Sequence, residues 1–143
     1  MYHYLESGLR NVWLANGYRK IDTSDGEAIA IEDVGGLHRA IGGNLLCKRK
    51  LSGAEFRFLR KELGFSQVMA GRILGISGQS IALWEKHGRI PGPAERLLRV
   101  LYQATVEQDP EVLRFLEQIN ALDRTHVDRM NFAQQGDEWK LAA

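Results

Sequence analysis

The sequence predicts a mainly α fold: a five-helix domain preceded by a small N-terminal β-hairpin or sheet region and a linking helix. Three observations predict it. Between residues 51 and 91 a serine, a run with apolar residues at helical spacing and a closing glycine recur three times, which is how short helices are punctuated. Before that, residues 1–31 alternate and turn in the manner of short strands. After it, two proline-initiated amphipathic runs carry the helical pattern to about residue 122.

A chain of 143 residues, 44% hydrophobic and 26% charged, buries one real core with room for a small appended subdomain, the balance of a soluble globular protein. No apolar run approaches the roughly 20 residues that span a bilayer. The start, MYHYLESG, has neither the basic nor the apolar region of a secretion signal, so a cytoplasmic protein is expected. Cys47 is the single cysteine, which excludes a disulfide framework and a cysteine-rich zinc cluster; no cofactor or metal is expected. The net charge of +1 conceals a segregation: residues 1–45 carry −2, residues 46–99 carry +7 and residues 100–143 carry −4. A basic middle between acidic flanks points to a polyanion, because clustered Lys and Arg repel each other unless neutralised; the alternative is a solvated cationic face.

Tyr2 and Tyr4, Ser7-Gly8, Val12-Trp13-Leu14 and Asn16-Gly17 open the chain. Asn-Gly between apolar runs is the strongest short hairpin signal, since both residues tolerate the positive φ of a type I′ turn, and a hairpin is expected around it. A second turn at Ser24-Asp25-Gly26 leads to a third strand over Ala28, Ile29, Ala30 and Ile31, and three short strands need a helix to cover them. That linking helix is expected over residues 33–48, with Leu37, Ile41, Leu45 and Leu46 on one face. Gly35-Gly36 and Gly42-Gly43 each cost about 1 kcal/mol per residue against alanine, so either the helix frays or another element packs closely there. Cys47-Lys48-Arg49-Lys50 makes a basic joint. The chain then divides into an N-terminal region (1–48), a central domain (49–108), and a C-terminal helix with a tail (109–143) suited to dimerisation.

Ser52 with Glu55 three positions on is a capping box, in which each side chain satisfies an unpaired backbone N–H at the helix start. The helix it opens turns Phe56, Leu59 and Leu63 inward and stops at Gly64. Ser66 caps a helix of about two turns, QVMAGRIL, which ends at Gly75. Ser77 caps a third, GQSIALWEKH, where Ile76 and Ile81 form a hydrophobic staple and Gly88 closes the run. Short helix, glycine turn, capped helix is the spacing that projects the second helix of such a pair outward from a core formed by the others. Pro91-Gly92-Pro93 breaks the chain ahead of a helix to about residue 108, with Leu97, Leu98, Leu101 and Tyr102 as its apolar face. Asp109 caps a last helix with Pro110 first and Val112, Leu113, Leu116, Ile119 and Leu122 as its stripe. From Arg124 onward there is little periodicity, and this tail reads as mobile or loosely docked.

The pattern FRFLRKELGFSQ, LGIS and SIALWEKHG resembles the Cro/CI-type (Xre) helix-turn-helix family of bacterial and phage regulators, over roughly residues 51–101. The resemblance implies a compact helical domain that binds a palindromic double-stranded DNA operator as a homodimer, with the helix that starts at Ser77 in the major groove. It also implies roles. Gln67, opening the second helix, clamps the DNA backbone in related proteins. Gln79 and Ser80 stand in the first turn of the recognition helix, pointing away from Ile81 and Trp84, and a glutamine can make two hydrogen bonds to an adenine edge, worth about 1–3 kcal/mol of discrimination. Leu83 either touches a thymine methyl or packs. Arg72, Lys86, His87 and Arg89 flank the same surface and suit phosphate contacts, which position without reading sequence. Arg60 and Glu85 sit at the family's paired positions and are expected to form a partly buried structural ion pair, with Trp84 in the core. Where the family usually has Leu-Ala, this chain has Ala70-Gly71, with Met69 and Ile73 as compensation. Gly71 permits close crossing by the recognition helix at a cost in helix stability.

The whole layout is similar to antitoxins of the MqsA type, which carry a cysteine-bound zinc in their N-terminal part; with Cys47 alone, zinc is unsupported here. The expected function is therefore a dimeric, sequence-specific repressor, with autoregulation and a toxin protein as partner implied by the second resemblance. The rival is a protein-interaction adaptor that uses the helix-turn-helix fold without reading DNA. An enzyme is not expected: His3, His38, His87 and His126 are scattered without ligand spacing, there is no Gly-rich phosphate loop, and no residue is assigned a catalytic role. The cytoplasm, and the nucleoid when DNA is bound, is the expected location, with no membrane partner.

Overall fold

The computed structural model describes residues 1–120 and 129–142. Strands β1 (Tyr2–His3) and β2 (Trp13–Leu14) flank a single 3-10 turn (Leu5–Ser7), and β3 (Tyr18–Thr23) and β4 (Gly26–Ile31) follow. Next come α1 (Val34–Leu46), α2 (Gly53–Glu62), α3 (Gln67–Leu74), α4 (Gly78–His87), α5 (Gly92–Val106) and α6 (Pro110–Asn120). The last elements are β5 (Phe132–Gln135) and β6 (Glu138–Leu141).

This corrects the five-helix domain with one small N-terminal sheet: among the described residues there are six helices and three separate two-stranded antiparallel sheets, β1-β2, β3-β4 and β5-β6. The hairpin expected around Asn16-Gly17 does not form. Trp13 and Leu14 pair backwards with His3 and Tyr2, aided by the His3 ring stacked on Trp13 at 3.9 Å and by the Tyr4 N–H donating to the Val12 carbonyl at 2.9 Å. Tyr18 instead opens a register with β4 that closes where Thr23 faces Gly26. Those six cross-strand pairs outweigh what the two-residue strand Trp13–Leu14 has to offer. Gly17 keeps a φ of 79° and its carbonyl accepts from the Glu32 N–H, so the turn chemistry is used at a corner between two sheets.

The tail carries one further pair of strands. Phe132–Gln135 pairs with Glu138–Leu141 around Gly136-Asp137, with Gly136 at a φ of 64°, a two-residue turn of the hairpin type. Leu122 and residues 124–128, part of the expected stripe and tail, lie outside the described residues.

The core forms around α2, which packs on α1, α4 and α5, while α6 lies against α3 and α5. Phe56, Leu59 and Ile81 are fully buried, and Leu51, Phe58, Leu98, Leu101 and Tyr102 surround them. Leu9 from the N-terminal segment, Leu45 of α1 and Leu116 of α6 belong to the same cluster. Leu97 and Leu113, expected on apolar faces, are exposed; at 100° per residue the faces centred on Leu98/Leu101 and on Leu116 leave them on the flank. Asp33 caps α1, its carboxylate accepting from the Gly36 N–H at 3.0 Å. Of the α1 glycines, Gly42 has a packing reason: it is buried, and a Cβ there would collide with the Tyr102 hydroxyl where α1 meets α5. The basic joint after α1 is tied down. Arg99 donates to the Leu46 carbonyl at 3.2 Å and to the Lys48 carbonyl, and it pairs with Glu95. No helix among the described residues is long and apolar enough to cross a membrane.

Candidate nucleic-acid interface

Three serine caps set out the α2–α3–α4 unit. At α2, Ser52 Oγ accepts from the Glu55 N–H at 3.2 Å and Glu55 accepts from the Ser52 N–H at 2.8 Å, a complete capping box. Burial pushes the Glu55 carboxyl up, but the Lys48 ammonium at 2.6 Å and the Ser52 N–H outweigh it and hold the group below its ordinary value. At α3, Ser66 accepts from Met69; at α4, Ser77 accepts from Ser80 at 3.1 Å. Glycines in the left-handed region close both helices, Gly75 at a φ of 76° and Gly88 at 73°. Between them, a Cβ on Gly71 would stand 2.6 Å from the Ile76 carbonyl oxygen, so α3 is pressed against the backbone of the turn that leads into α4.

The unit is clamped from inside. Arg60 Nε lies 2.7 Å from Glu85 Oε2 and Nη2 lies 3.0 Å from Oε1, a bidentate pair whose side chains are 8% and 5% exposed. Arg60 Nη1 also donates to the Phe65 carbonyl at 2.7 Å, so one guanidinium ties α2 to α4 and to the loop before α3. Trp84 is half-buried, edge-on to Phe56 with ring centroids 6.1 Å apart.

Ile81 points α4 into the core, and the opposite side of the helix exposes Gln79, Leu83, Lys86 and His87. The structure thus brings these four together on one face, with Leu83 55% exposed rather than packed. Arg72, in the last turn of α3, and Arg89, just after α4, are exposed as well. Two candidates are drawn inward. Ser80 is half-buried, with its hydroxyl 3.0 Å from Ser77 Oγ inside the cap. Gln67 is half-buried, and its amide donates to Glu85 Oε1 at 3.2 Å, which joins it to the ion-pair network.

Sequence reasoning missed Arg57 and Lys61. Spaced four apart on the outer side of α2, they line a cleft of about 730 Å³ together with Gln67 and Lys86. The spacing was the available signal, but it does not say what α2 faces. His38 was missed too: its Nε2 lies 2.8 Å from the Tyr4 hydroxyl and its Nδ1 meets Glu62, so it joins the N-terminal segment to α2. Among the described residues no group of His, Cys, Asp and Glu is placed to hold a metal ion.

No family model matches this chain, and no curated protein or solved structure matches it either. The likeness to helix-turn-helix regulators therefore rests on the residues of α2, α3 and α4 themselves.

Proposed function

We propose that this chain is a sequence-specific DNA-binding regulator that acts as a homodimer on a palindromic operator and represses transcription, in the cytoplasm and on the nucleoid. One observation carries the reading: α4, capped at its start, closed by Gly88 and clamped at Glu85, presents Gln79, Leu83, Lys86 and His87 on its outer face within a segment of charge +7. A major groove about 12 Å wide admits such a helix. Gln79 suits an adenine edge, and the exposed Leu83 suits a thymine methyl. Lys86, His87, Arg72 and Arg89 suit backbone phosphates. Gln67 carries two amide hydrogens; with one directed at Glu85, the other serves a phosphate oxygen. Ser80 contributes first through its backbone N–H, which donates to the Ser77 cap that fixes the start of α4, and only then through its hydroxyl.

Selection from a random duplex library tests this. The bound sequences should converge on an inverted repeat, and Gln79→Ala should flatten the preference at one base pair per half-site while leaving affinity for arbitrary DNA unchanged. A library that stays random, or binding that ignores salt, rejects the reading. A second reading, a protein partner such as a toxin, is favoured by β5 and β6. Phe132, Trp139 and Leu141 are 56%, 68% and 68% exposed there, and the register places all three on one side of the hairpin.

A further inference from the structure

We propose that the cleft between the N-terminal 3-10 turn and α2 is a second phosphate seat, with Arg57 and Lys61 as its binding residues for the DNA backbone; it rests on the DNA-binding reading and extends the footprint beyond α4. The cleft is lined by Glu6 and His38 together with Arg57, Lys61, Gln67 and Lys86. Of its carboxylates, Glu85 holds Arg60 and Glu62 meets the His38 ring, while Glu6 accepts from the uncharged Tyr2 hydroxyl and keeps its charge. Among the described residues, Arg57, Lys61 and Lys86 enter no ion pair, and all three are exposed.

Three like charges lining one cleft repel each other, and an anion seated among them removes that cost. The anion must be reachable from α4. Lys86 borders the cleft and stands three residues beyond Leu83, about 4.5 Å along the helix axis, so a strand lying against the α4 face continues into the cleft without a gap. Gln67 lines the same cleft, beside Glu85, to which its amide donates. A phosphate contact of this kind carries no sequence information, so Arg57 and Lys61 set affinity and register while Gln79 and Leu83 discriminate.

The test uses the full chain and fluorescence anisotropy with a mixed-sequence duplex across a salt series. Each lost phosphate contact lowers the slope of log affinity against log salt by about 0.9. Arg57→Ala/Lys61→Ala should therefore flatten the slope by about 1.8, so that the variant loses about tenfold less affinity than the wild type between 50 and 200 mM salt. Lys20→Ala/Lys140→Ala removes the same charge from the hairpins and should leave the slope unchanged. Arg57→Lys/Lys61→Arg should restore it. Arg57→Gln/Lys61→Gln keeps the side-chain stems and should repeat the alanine result with an unchanged melting curve, which separates lost contacts from a lost fold. Equal slopes for the wild type and both neutralised variants overturn the seat. So does saturable binding of inorganic phosphate, abolished in the same variants, with the DNA slope untouched. A wild type without salt-dependent DNA binding removes the parent reading, and the seat with it.

Discussion

Removing Arg60 alone leaves the Glu85 carboxylate buried without its cation, and a charge stranded in that way costs about 3–5 kcal/mol. Arg60→Ala should show a loss of that size in urea unfolding, whereas Arg60→Met/Glu85→Leu, which removes both charges, should cost well under the sum of the single changes. Glu55 gives a pH signature. Its carboxyl is held below the ordinary 4.5, so its contribution is present above that value and is lost as pH falls through the lower folded value. Glu55→Gln, which keeps the cap but removes the charge paired with Lys48, should thus cost up to about 1 kcal/mol at neutral pH, and the gap to the wild type should close as the solution is acidified below pH 4.5. At this scale the caps were legible in the sequence because donor and acceptor are three residues apart. The Gln67 bond to Glu85 was not, since eighteen residues separate them and only the packing of α4 brings them together.

Gly71 sets two effects against each other at the level of the helix pair. Alanine is about 1 kcal/mol better than glycine inside a helix, but its Cβ would sit 2.6 Å from a backbone oxygen of the following turn, and overpacking of that kind costs about 1–3 kcal/mol. Backbone cannot swing aside like the end of a side chain, so the steric term wins. Gly71→Ala should destabilise the protein and, by shifting α4 against α3, weaken DNA binding by more than its stability loss explains, as equilibrium unfolding and anisotropy together will show. The closeness of this crossing was readable from the departure at Ala70-Gly71. The pairing of the strands was not. Asn16-Gly17 and Gly136-Asp137 are both turn dipeptides, yet only the second joins partners, because a local turn signal carries no information about which distant strand competes for the same edge. The C-terminal hairpin stayed hidden because its apolar residues, Phe132, Trp139 and Leu141, are few and interleaved with Gln and Lys.

For the molecule as a whole, the apolar core takes residues from both sides of the basic joint at residues 47–50. Tyr4, Leu9 and Leu14 are buried, and Leu9 belongs to the same apolar cluster as Phe56, Leu98 and Leu116. Leu9→Ala should cost about 2–5 kcal/mol, and calorimetry should record one cooperative transition for the N-terminal segment and the helices rather than two. The segregated charge was visible from the start; the shared core was not, because a two-residue strand and scattered Leu residues have no periodicity to read. This docking also has a consequence in time. The N-terminal segment is synthesised before α1 and α2, yet Tyr4 needs His38 and the cleft that Glu6, Ser7 and Gly8 line is closed by α2, so these residues must wait for a long stretch of later chain before they find their seats. In the nascent protein Tyr4 and Leu9, both buried once folded, therefore remain open to chaperones until Phe58 and Glu62 have emerged.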